Sequence, residues 1–428
     1  RTFFQQQISD YVSDEPGGQI TLLQIDLDNF KWFNETRGFH AGDQLLKKMV
    51  VHCNSVLDEW CEQWVVKRSD VHLTRLGGDE FGIILLGDVS RHGVHGLTES
   101  LMTVFNPVEE QTHPLHGMQA SIGVAVYPLN ARNVSEIQHH VSLALNEAKA
   151  RGKNRVVYFE DEMNARLQRH YELEQALLKA RSRDELFMVY QPQVSISTGK
   201  VVGYEALMRW QNDELGFVSP VEFFPIAEES PVVQELGEFV IEQVLRDIPR
   251  LCERHGYNIK VSLNVSAAQF FYHDVADLLI KEMRINGVDP NTLSVELTET
   301  ALLEKDQIVL EQLSRLRSAG VAIMLDDFGT GYASLSYLKE FPITGLKVDR
   351  SYTARLCSGE PSDFKLFESL LFLAKNLGLT TVVEGIENEH EEQQAQLAGA
   401  QVAQGFKYAK GLPIEEQLKS IDKWDATS

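Results

Sequence analysis

Basic side chains, cysteines and long apolar segments are all scarce in this chain of 428 residues. Asp and Glu number 62 against 40 Lys and Arg, which gives a formal net charge of -22. This excess of acid argues against nucleic acid as a partner, since binding to a phosphate backbone needs a basic surface. An acidic protein can still bind phosphate groups where divalent cations lie between its carboxylates and the ligand.

The cysteines are too few and too scattered to form a structural framework. Cys53, Cys61, Cys252 and Cys357 contain no CxxC pair, so neither a zinc site nor a set of disulfides is indicated, and a cytoplasmic location is expected. The sequence has no run of 18 apolar residues and no signal peptide. Because it starts at Arg1 without Met, we expect a trimmed chain whose parent carries upstream sensory or membrane segments, with an inner-membrane anchor as one option.

The length predicts two domains, because one hydrophobic core seldom organises so many residues. Residues 1–160 alternate apolar strands with helical segments, which predicts a compact α/β domain. Residues 161–182 carry apolar side chains at helical spacing and predict a connecting helix. Residues 183–428 contain eight short apolar runs separated by helical segments, the pattern of a (β/α)8 barrel.

Each apolar run of the second domain has a polar residue at or near its C-terminal end. These residues are Gln191, Glu205, Asn264, Glu296, Asp326, Lys347, Glu384 and Gln404. In a parallel barrel such ends converge on one mouth, where barrel enzymes hold their active sites. One acid at a strand end often only caps the next helix, but the whole ordered set favours a shared site.

Oxygen ligands dominate this predicted mouth. Three carboxylates and one amide would suit Mg2+ or Mn2+: Glu205, Asn264, Glu296 and Asp326. Asp327 could reach a second ion, and two metals are a common solution for phosphodiester hydrolysis. Lys347 could then orient the attacking water while Glu384 accepts its proton.

The segment YEALMRW, residues 204–210, resembles the motif that names the EAL family of cyclic di-GMP phosphodiesterases. The resemblance continues through YQPQ, LNVS, ELTET, DDFGTGYASL, LKVD, VVEGIE and QGF, and it covers residues 183–415. It implies hydrolysis of cyclic di-GMP to linear pGpG with two Mg2+ or Mn2+ ions. The implied ligands are Glu205, Asn264, Glu296, Asp326 and Asp327, with Lys347 and Glu384 activating water.

The same resemblance implies substrate contacts and a dimer. The implied substrate-binding residues are Gln191, Leu207, Arg209, Asp349, Glu387 and Gln404. Arg209 suits a phosphate because a guanidinium offers a fork of donors. Glu299 and the DDFGTG loop resemble the element that couples metal binding to dimer contacts, so we expect a homodimer. The metal set is complete, which favours hydrolysis over binding alone.

The first domain carries a second motif, LGGDEFG, residues 76–82. Together with QIDLDNFKWFNE, residues 24–35, it resembles the GGDEF diguanylate cyclases, which condense two GTP molecules into cyclic di-GMP. The resemblance implies a nucleotide-cyclase-like α/β fold for this domain. It implies catalysis by Asp79 and Glu80 and a site for Mg2+ at Asp26, Leu27 and Asp79. It implies GTP contacts by Asn34, Asp43, Lys149 and Lys153. The motif alone could equally be a glycine hairpin with exposed acids.

Three functions stay open from the sequence. The barrel could hydrolyse cyclic di-GMP while the first domain binds GTP as a regulator or retains cyclase activity. The chain could instead be a bifunctional enzyme in which cyclase activity dominates, or a receptor that only senses nucleotides. Two departures from the GGDEF pattern, Phe39 for the usual His and Lys153 for the usual Arg, make hydrolysis the favoured activity.

Overall fold

The computed structural model describes residues 2–15, 17–105, 118–298, 307–329, 340–357 and 360–425. The chain divides into two compact units, Arg1–His170 and Tyr171–Ser428. This division falls inside one continuous helix, Asp161–Ala180, in the region where the sequence predicted a connecting helix. The domain limits at residues 160 and 183 stay predictions.

The first unit is a five-stranded sheet with helices on both faces. Its strands are β1 (Ile20–Asp28), β2 (Val71–Gly77), β3 (Glu80–Leu86), β4 (Gln119–Tyr127) and β5 (Val156–Tyr158). Its helices are α1 (Thr2–Asp14), α2 (Phe30–Arg37), α3 (Phe39–Trp64), α4 (Arg91–Phe105) and α5 (Val134–Ala150), and it shares α6 (Asp161–Ala180) with the second unit. The strand order is β2-β3-β1-β4-β5, and β1 is antiparallel to both β3 and β4.

The central strand β1 is buried at every position because both faces of the sheet are covered. Leu23 and Ile25 belong to the core formed with α3 and α4, whereas Ile20 and Leu22 belong to the core formed with α1 and α5. Successive side chains of a strand point to opposite faces, so a strand between two helical layers needs apolar residues at both parities. Apolar residues therefore occur at both parities along β1, interrupted by the buried Thr21 and Gln24, up to the acids Asp26 and Asp28 at its C-terminal end.

The second unit is a closed barrel of eight strands. They are β6 (Leu186–Ser195), β7 (Val201–Asn212), β9 (Lys260–Asn264), β10 (Leu293–Thr298), β11 (Ala322–Phe328), β12 (Gly345–Val348), β13 (Thr380–Val383) and β14 (Val402–Ala403). Two short strands, β8 (Gly216–Val218) and β15 (Leu412–Pro413), pair with β7 and β6 respectively. The α/β barrel predicted from the sequence is confirmed.

Helices surround this barrel. They are α7 (Pro220–Glu228), α8 (Val232–His255), α9 (Ala267–Tyr272), α10 (Val275–Asn286), α11 (Gln307–Ala319), α12 (Arg350–Arg355), α13 (Pro361–Asn376), α14 (Glu389–Leu397) and α15 (Ile414–Asp425). None of the helices in the described ranges combines the length and the hydropathy that a transmembrane span requires.

The barrel differs from an all-parallel one at its first strand. β6 is antiparallel to both of its barrel neighbours, β7 and β14, whereas the successive pairs from β7 through β14 are parallel. Parallel neighbours need a crossover of about a dozen residues or more, and only residues 196–200 separate β6 from β7. Gln191 therefore reaches the mouth from the middle of its strand, where it pairs with Glu205.

Gly123 on β4 tests how tightly α5 packs on the first sheet. A Cβ at this position would lie 2.4 Å from both Leu145 N and Val141 O, which are main-chain atoms of α5. We expect Gly123→Ala to lower the free energy of unfolding of the first unit by about 1–3 kcal/mol, the usual cost of overpacking. Scanning calorimetry of the purified chain measures this loss.

Gly96→Ala is the matched control on α4. The nearest atoms to a Cβ at Gly96 belong to Trp64 at 3.7 Å, an ordinary contact. Alanine stabilises a helix interior by roughly 0.5–1 kcal/mol relative to glycine, so this variant should be at least as stable as the wild type. Equal melting temperatures for the two variants would contradict the packing argument.

Candidate functional site

The ammonium group of Lys347 lies inside the barrel among four carboxylates. Its Nζ is 2.7 Å from Glu296 Oε2 and 2.7 Å from Glu384 Oε1. Asp326 Oδ1 is 3.2 Å away and Glu205 Oε2 is 3.3 Å away. Three of the acids lie on β7, β10 and β11, and Glu384 directly follows β13. Closure of the barrel therefore brings together charges that are far apart in the sequence.

Burial and mutual repulsion perturb the protonation of this cluster. Burial alone would lower the pKa of Lys347, but the surrounding carboxylates outweigh it and hold that pKa well above its ordinary value. Burial raises the pKa of Glu296 well above its usual range and that of Glu384 to about 7. For Glu205, Lys347 and two amide donors overcome the effect of burial and lower the pKa. One ammonium does not balance the acids, so the cluster is short of positive charge.

The carboxylates form two overlapping groups that suit divalent cations. The groups are Glu205 with Glu296 and Asp326, and Asp326 with Asp327 and Glu384, and the candidate ligand atoms within each lie within 4.8 Å of one another. Asp326 belongs to both groups, as a carboxylate that bridges two ions would. Hard oxygen donors and a shortage of positive charge both fit Mg2+ or Mn2+.

A backbone irregularity keeps the two neighbouring aspartates in one cluster. Consecutive residues of a regular strand point to opposite faces, so Asp326 and Asp327 would normally diverge. Asp327 has φ 54°, and the register between β11 and β12 shifts between Leu325 and Phe328. This bulge ends the strict alternation at the two acids. Burial, together with the charge of Asp326, raises the pKa of Asp327.

Amide side chains complete the polar mouth of the barrel. Asn264 Nδ2 donates to Glu205 Oε1 at 2.9 Å, and Gln404 Nε2 donates to Glu205 Oε2 at 2.6 Å. The same amide nitrogen, Gln404 Nε2, also donates to Gln191 Oε1 at 3.2 Å. The contacts of Lys347 and of these amides thus connect all eight polar residues that the sequence placed at the mouth.

A cavity of ≈ 310 Å³ opens beside the carboxylates. Its polar side includes Asn264, Glu296, Asp326 and Asp327, and its apolar side includes Met188, Phe224, Val233 and Leu236. Two predicted substrate residues, Leu207 and Arg209, also line it. Burial lowers the pKa of Arg209, which still offers a positive charge close to the acids. The cavity can accept a ligand that joins phosphate to an apolar ring.

Among the residues that the structure describes, four of the predicted substrate contacts do not line this cavity: Gln191, Asp349, Glu387 and Gln404. Asp349 accepts a hydrogen bond from Ser351 N at 2.9 Å and caps α12. Glu387 is exposed just before α14. Glu299 lies outside the described residues. The roles of Asp349 and Glu387 in substrate binding stay predictions, and the capping contact shows that Asp349 also has a structural function.

The GGDEF hairpin lies beside the end of β1 in the first unit. Asp26 pairs with Glu80 across β1 and β3, and Leu27 N donates to Asp79 O at 3.4 Å. The Leu27 side chain is in the apolar core, so only its main chain could reach a metal. Lys149 Nζ lies 2.7 Å from Asp26 Oδ2. Burial raises the pKa of Asp26, and the neighbouring acids reinforce this shift against the effect of Lys149.

The other predicted GTP contacts lie in different surroundings, and their role in binding stays a prediction. Asn34 Oδ1 is buried and has no hydrogen-bond partner among the described residues. A Cβ at Gly42 would lie within 1.9 Å of this oxygen, so glycine leaves room for the Asn34 side chain. Asp43 is exposed on α3. Lys153 Nζ donates to Asn29 Oδ1 at 2.8 Å, a partner that the sequence did not indicate.

One buried glutamine near the barrel site was not predicted. Gln193 lies two residues after Gln191 on β6, and its Nε2 donates to Gln404 Oε1 at 3.1 Å. Side chains at positions i and i+2 of a strand share a face. The second glutamine of the YQPQ segment therefore carried a signal that would have placed Gln193 next to Gln191.

Comparison with protein-family models matches residues 174–411 to the EAL domain and residues 1–155 to the diguanylate cyclase GGDEF domain. The chain belongs to the EAL family. Its EAL domain follows a GGDEF domain, so the EAL phosphodiesterase and GGDEF cyclase domains suggested by the motifs are both confirmed.

Two curated relatives match almost the whole chain at the same sequence identity. The chain is 31% identical over 97% of its length to the bifunctional diguanylate cyclase/cyclic di-GMP phosphodiesterase MucR of Pseudomonas aeruginosa, of which it covers 59%. It is 31% identical over 96% of its length to the cyclic di-GMP phosphodiesterase PdeR of Escherichia coli, of which it covers 60%. The chain therefore spans little more than half the length of these relatives.

Solved structures resemble the barrel and the whole chain. The MucR phosphodiesterase in complex with c-di-GMP aligns with a TM-score of 0.54 and 32% identity, and covers 57% of this chain and 99% of that one. A GGDEF-EAL fragment of Vibrio cholerae LapD bound to c-di-GMP aligns with a TM-score of 0.57 and covers 95% of this chain and 93% of that one. Its identity of 20% supports the fold alone.

Replacing Lys347 tests the electrostatic account of the cluster. We expect Lys347→Met to lower the free energy of unfolding by about 3–5 kcal/mol in EDTA, because it leaves buried carboxylates without their partner. Mg2+ or Mn2+ should stabilise the variant by about 2.7 kcal/mol at 100 times its dissociation constant, because a bound cation supplies positive charge that the acids lack. Thermal melts with and without metal measure both effects.

Lys375→Met is the control, because Lys375 is exposed on α13. Surface substitutions of this kind change stability by about 0.5 kcal/mol at most, and metal should not alter the difference. A Lys347→Met variant as stable as the wild type in EDTA would overturn the account.

Proposed function

We propose that the barrel hydrolyses cyclic di-GMP to linear pGpG with two Mg2+ or Mn2+ ions. The observation that carries the proposal is the buried cluster around Lys347. Asp326 belongs to both sets of candidate metal ligands in this cluster, and it lies at the edge of a cavity. The relatives support the substrate, since PdeR of Escherichia coli and NbdA of Pseudomonas aeruginosa are both named as cyclic di-GMP phosphodiesterases.

The residues that would hold the metals are those with oxygen atoms at the mouth: Glu205, Asn264, Glu296, Asp326 and Asp327. Bound ions would polarise the phosphodiester and make water more acidic. Arg209, whose side chain lines the cavity, would bind a phosphate oxygen and hold the substrate in one orientation. The apolar wall formed by Met188, Phe224 and Leu236 would receive a guanine ring.

Glu384 is suited to accept the proton of the attacking water. Its pKa of about 7 is near the pH at which a general base is most effective. Lys347 Nζ, 2.7 Å away, holds this carboxylate in place. Because the three donors of Lys347 already face four carboxylates, contact between Lys347 and a water requires one of these partners to turn away.

Glu205→Ala tests the hydrolytic proposal. This change removes a carboxylate from the first metal group, and we expect pGpG formation to fall at least about 100-fold, as for loss of a principal electrostatic contact in an active site. The measurement is chromatographic separation of pGpG from cyclic di-GMP after incubation with Mg2+ or Mn2+.

Asp213→Ala is the control, since Asp213 is an exposed acid between β7 and β8. It should retain the wild-type rate. Failure of the wild type to make pGpG with either metal, or equal rates for wild type and Glu205→Ala, would refute the proposal.

For the first unit we propose GTP binding with Mg2+ that regulates the barrel. The unpartnered oxygen of Asn34 and the acids around Lys149 support a nucleotide site. Cyclase activity is a second candidate, because Asp79 and Glu80 lie on the hairpin opposite Asp26. Since a cyclase joins two GTP molecules, this candidate also requires a homodimer.

The effect of GTP on hydrolysis tests the regulatory proposal. We expect GTP with Mg2+ to raise the rate of pGpG formation about 5-fold or more, the lower end of usual coupling between sites. Asn34→Ala should abolish this rise while leaving the rate without GTP unchanged. An identical rate with and without GTP would contradict the proposal. Cyclic di-GMP made from GTP by Glu205→Ala, in which hydrolysis cannot consume it, would establish the cyclase candidate instead.

A further inference from the structure

Gln193 occupies a buried position behind the metal ligands of the barrel. It is 8% exposed and lies on the same face of β6 as Gln191. Its Nε2 donates to Gln404 Oε1 at 3.1 Å. Gln404 in turn donates to Glu205 Oε2 at 2.6 Å. A chain of two amides thus connects Gln193 to the carboxylate of Glu205.

The direction of these hydrogen bonds follows from the chemistry of the amide. A glutamine side chain accepts at Oε1 and donates at Nε2, so Gln404 can lie in two orientations. With Nε2 of Gln193 facing it, Gln404 Oε1 has a donor, and Gln404 Nε2 points to Glu205. If the Gln404 amide were flipped, its NH2 group would face the NH2 group of Gln193, and its Oε1 would face the Glu205 carboxylate. The donor of Gln193 therefore favours the same orientation of Gln404 as the acceptors Glu205 Oε2 and Gln191 Oε1 do.

We propose that Gln193 is a positioning residue, which holds the Gln404 amide so that Gln404 aims the Glu205 carboxylate at the cation site. The consequence for catalysis rests on the proposed phosphodiesterase function, whereas the consequence for cation binding does not. Partners of metal ligands commonly change metal affinity by about 10–100-fold when they are removed. Gln193 acts one step further out, through Gln404.

Gly203 offers a second way to disturb the contact between Gln193 and Gln404. It pairs with Gln193 across β6 and β7. A Cβ at Gly203 would lie 2.9 Å from Gln193 Oε1 and 3.1 Å from Lys260 O. Because the main chain of Lys260 is fixed by the neighbouring strand, the glutamine side chain must move. Gly203→Ala therefore disturbs Gln193 without changing any polar group.

The test is Mn2+ binding to the purified full chain, measured by electron paramagnetic resonance. Gln193→Glu keeps the size of the side chain but replaces the donor with an acceptor. We expect the Mn2+ dissociation constant to rise about 10-fold, the lower end of the range for partners of metal ligands. Gly203→Ala should raise it in the same direction. In turnover, the Mn2+ concentration for half-maximal rate should rise while the KM for cyclic di-GMP at saturating Mn2+ stays unchanged.

Gln312→Glu is the matched control. Gln312 is also buried, lies on α11 and donates its Nε2 to Phe270 O at 3.0 Å. It therefore loses one buried donor in the same unit without touching Gln404, and its Mn2+ affinity should equal that of the wild type.

Two outcomes overturn the inference. The first is that Gly203→Ala, and Gln193→Glu if it folds, both bind Mn2+ with an affinity within about two-fold of the wild type. Such a change is well below the usual effect of removing a partner of a metal ligand. The other is an equal loss of affinity in Gln312→Glu. If Gln193→Glu does not fold, Gly203→Ala alone decides. If the wild type fails to hydrolyse cyclic di-GMP but the Mn2+ shifts occur, the proposed function fails and the positioning role stands.

Discussion

The buried ammonium of Lys347 is the interaction on which the barrel site depends. A charge inside a protein is costly unless opposite charges and hydrogen bonds surround it. Four carboxylates from different parts of the barrel meet this one group, so the register of the strands and the ion cluster constrain each other. The acids nevertheless outnumber the single cation. Pairing with Lys347 offsets part of the cost of burying these acids, and the remaining excess of negative charge suits a divalent cation.

The barrel was predictable from the sequence, but the direction of its first strand required a separate argument. Apolar alternation and a polar residue near the end of a run look the same whichever way a strand runs, because the period of two has no direction. Connection length does carry direction. Residues 196–200 are too few for a crossover, so β6 and β7 had to be antiparallel. The pairing of Gln191 with Glu205 is a result of that hairpin, and Gln191 still reaches the mouth.

The polar residues of the site were also predictable, whereas their fine geometry was not. The left-handed backbone of Asp327 follows from a bulge in β11, and an aspartate in the sequence does not by itself indicate such a bulge. The orientation of Gln404 depends on its contact with Gln193, and this contact forms because the barrel places β6 next to β14. The helix α6 shows what spacing alone leaves open. Its apolar residues predicted a connecting helix, and in the structure Met163 packs in the core of the first unit and Leu173 in that of the second.

Both candidate sites use a lysine beside clustered acids, but the two lysines differ in how freely they can leave. Lys149 contacts Asp26 and its side chain is 34% exposed, so it has room to turn away from this acid. The Lys347 side chain is 1% exposed and faces four carboxylates at once. Moving it away would leave buried carboxylates unpaired, so any cation must bind alongside it rather than replace it. The lysine of the proposed first site can therefore move when a ligand binds, whereas in the proposed barrel site metals and substrate would have to fit around a fixed positive charge.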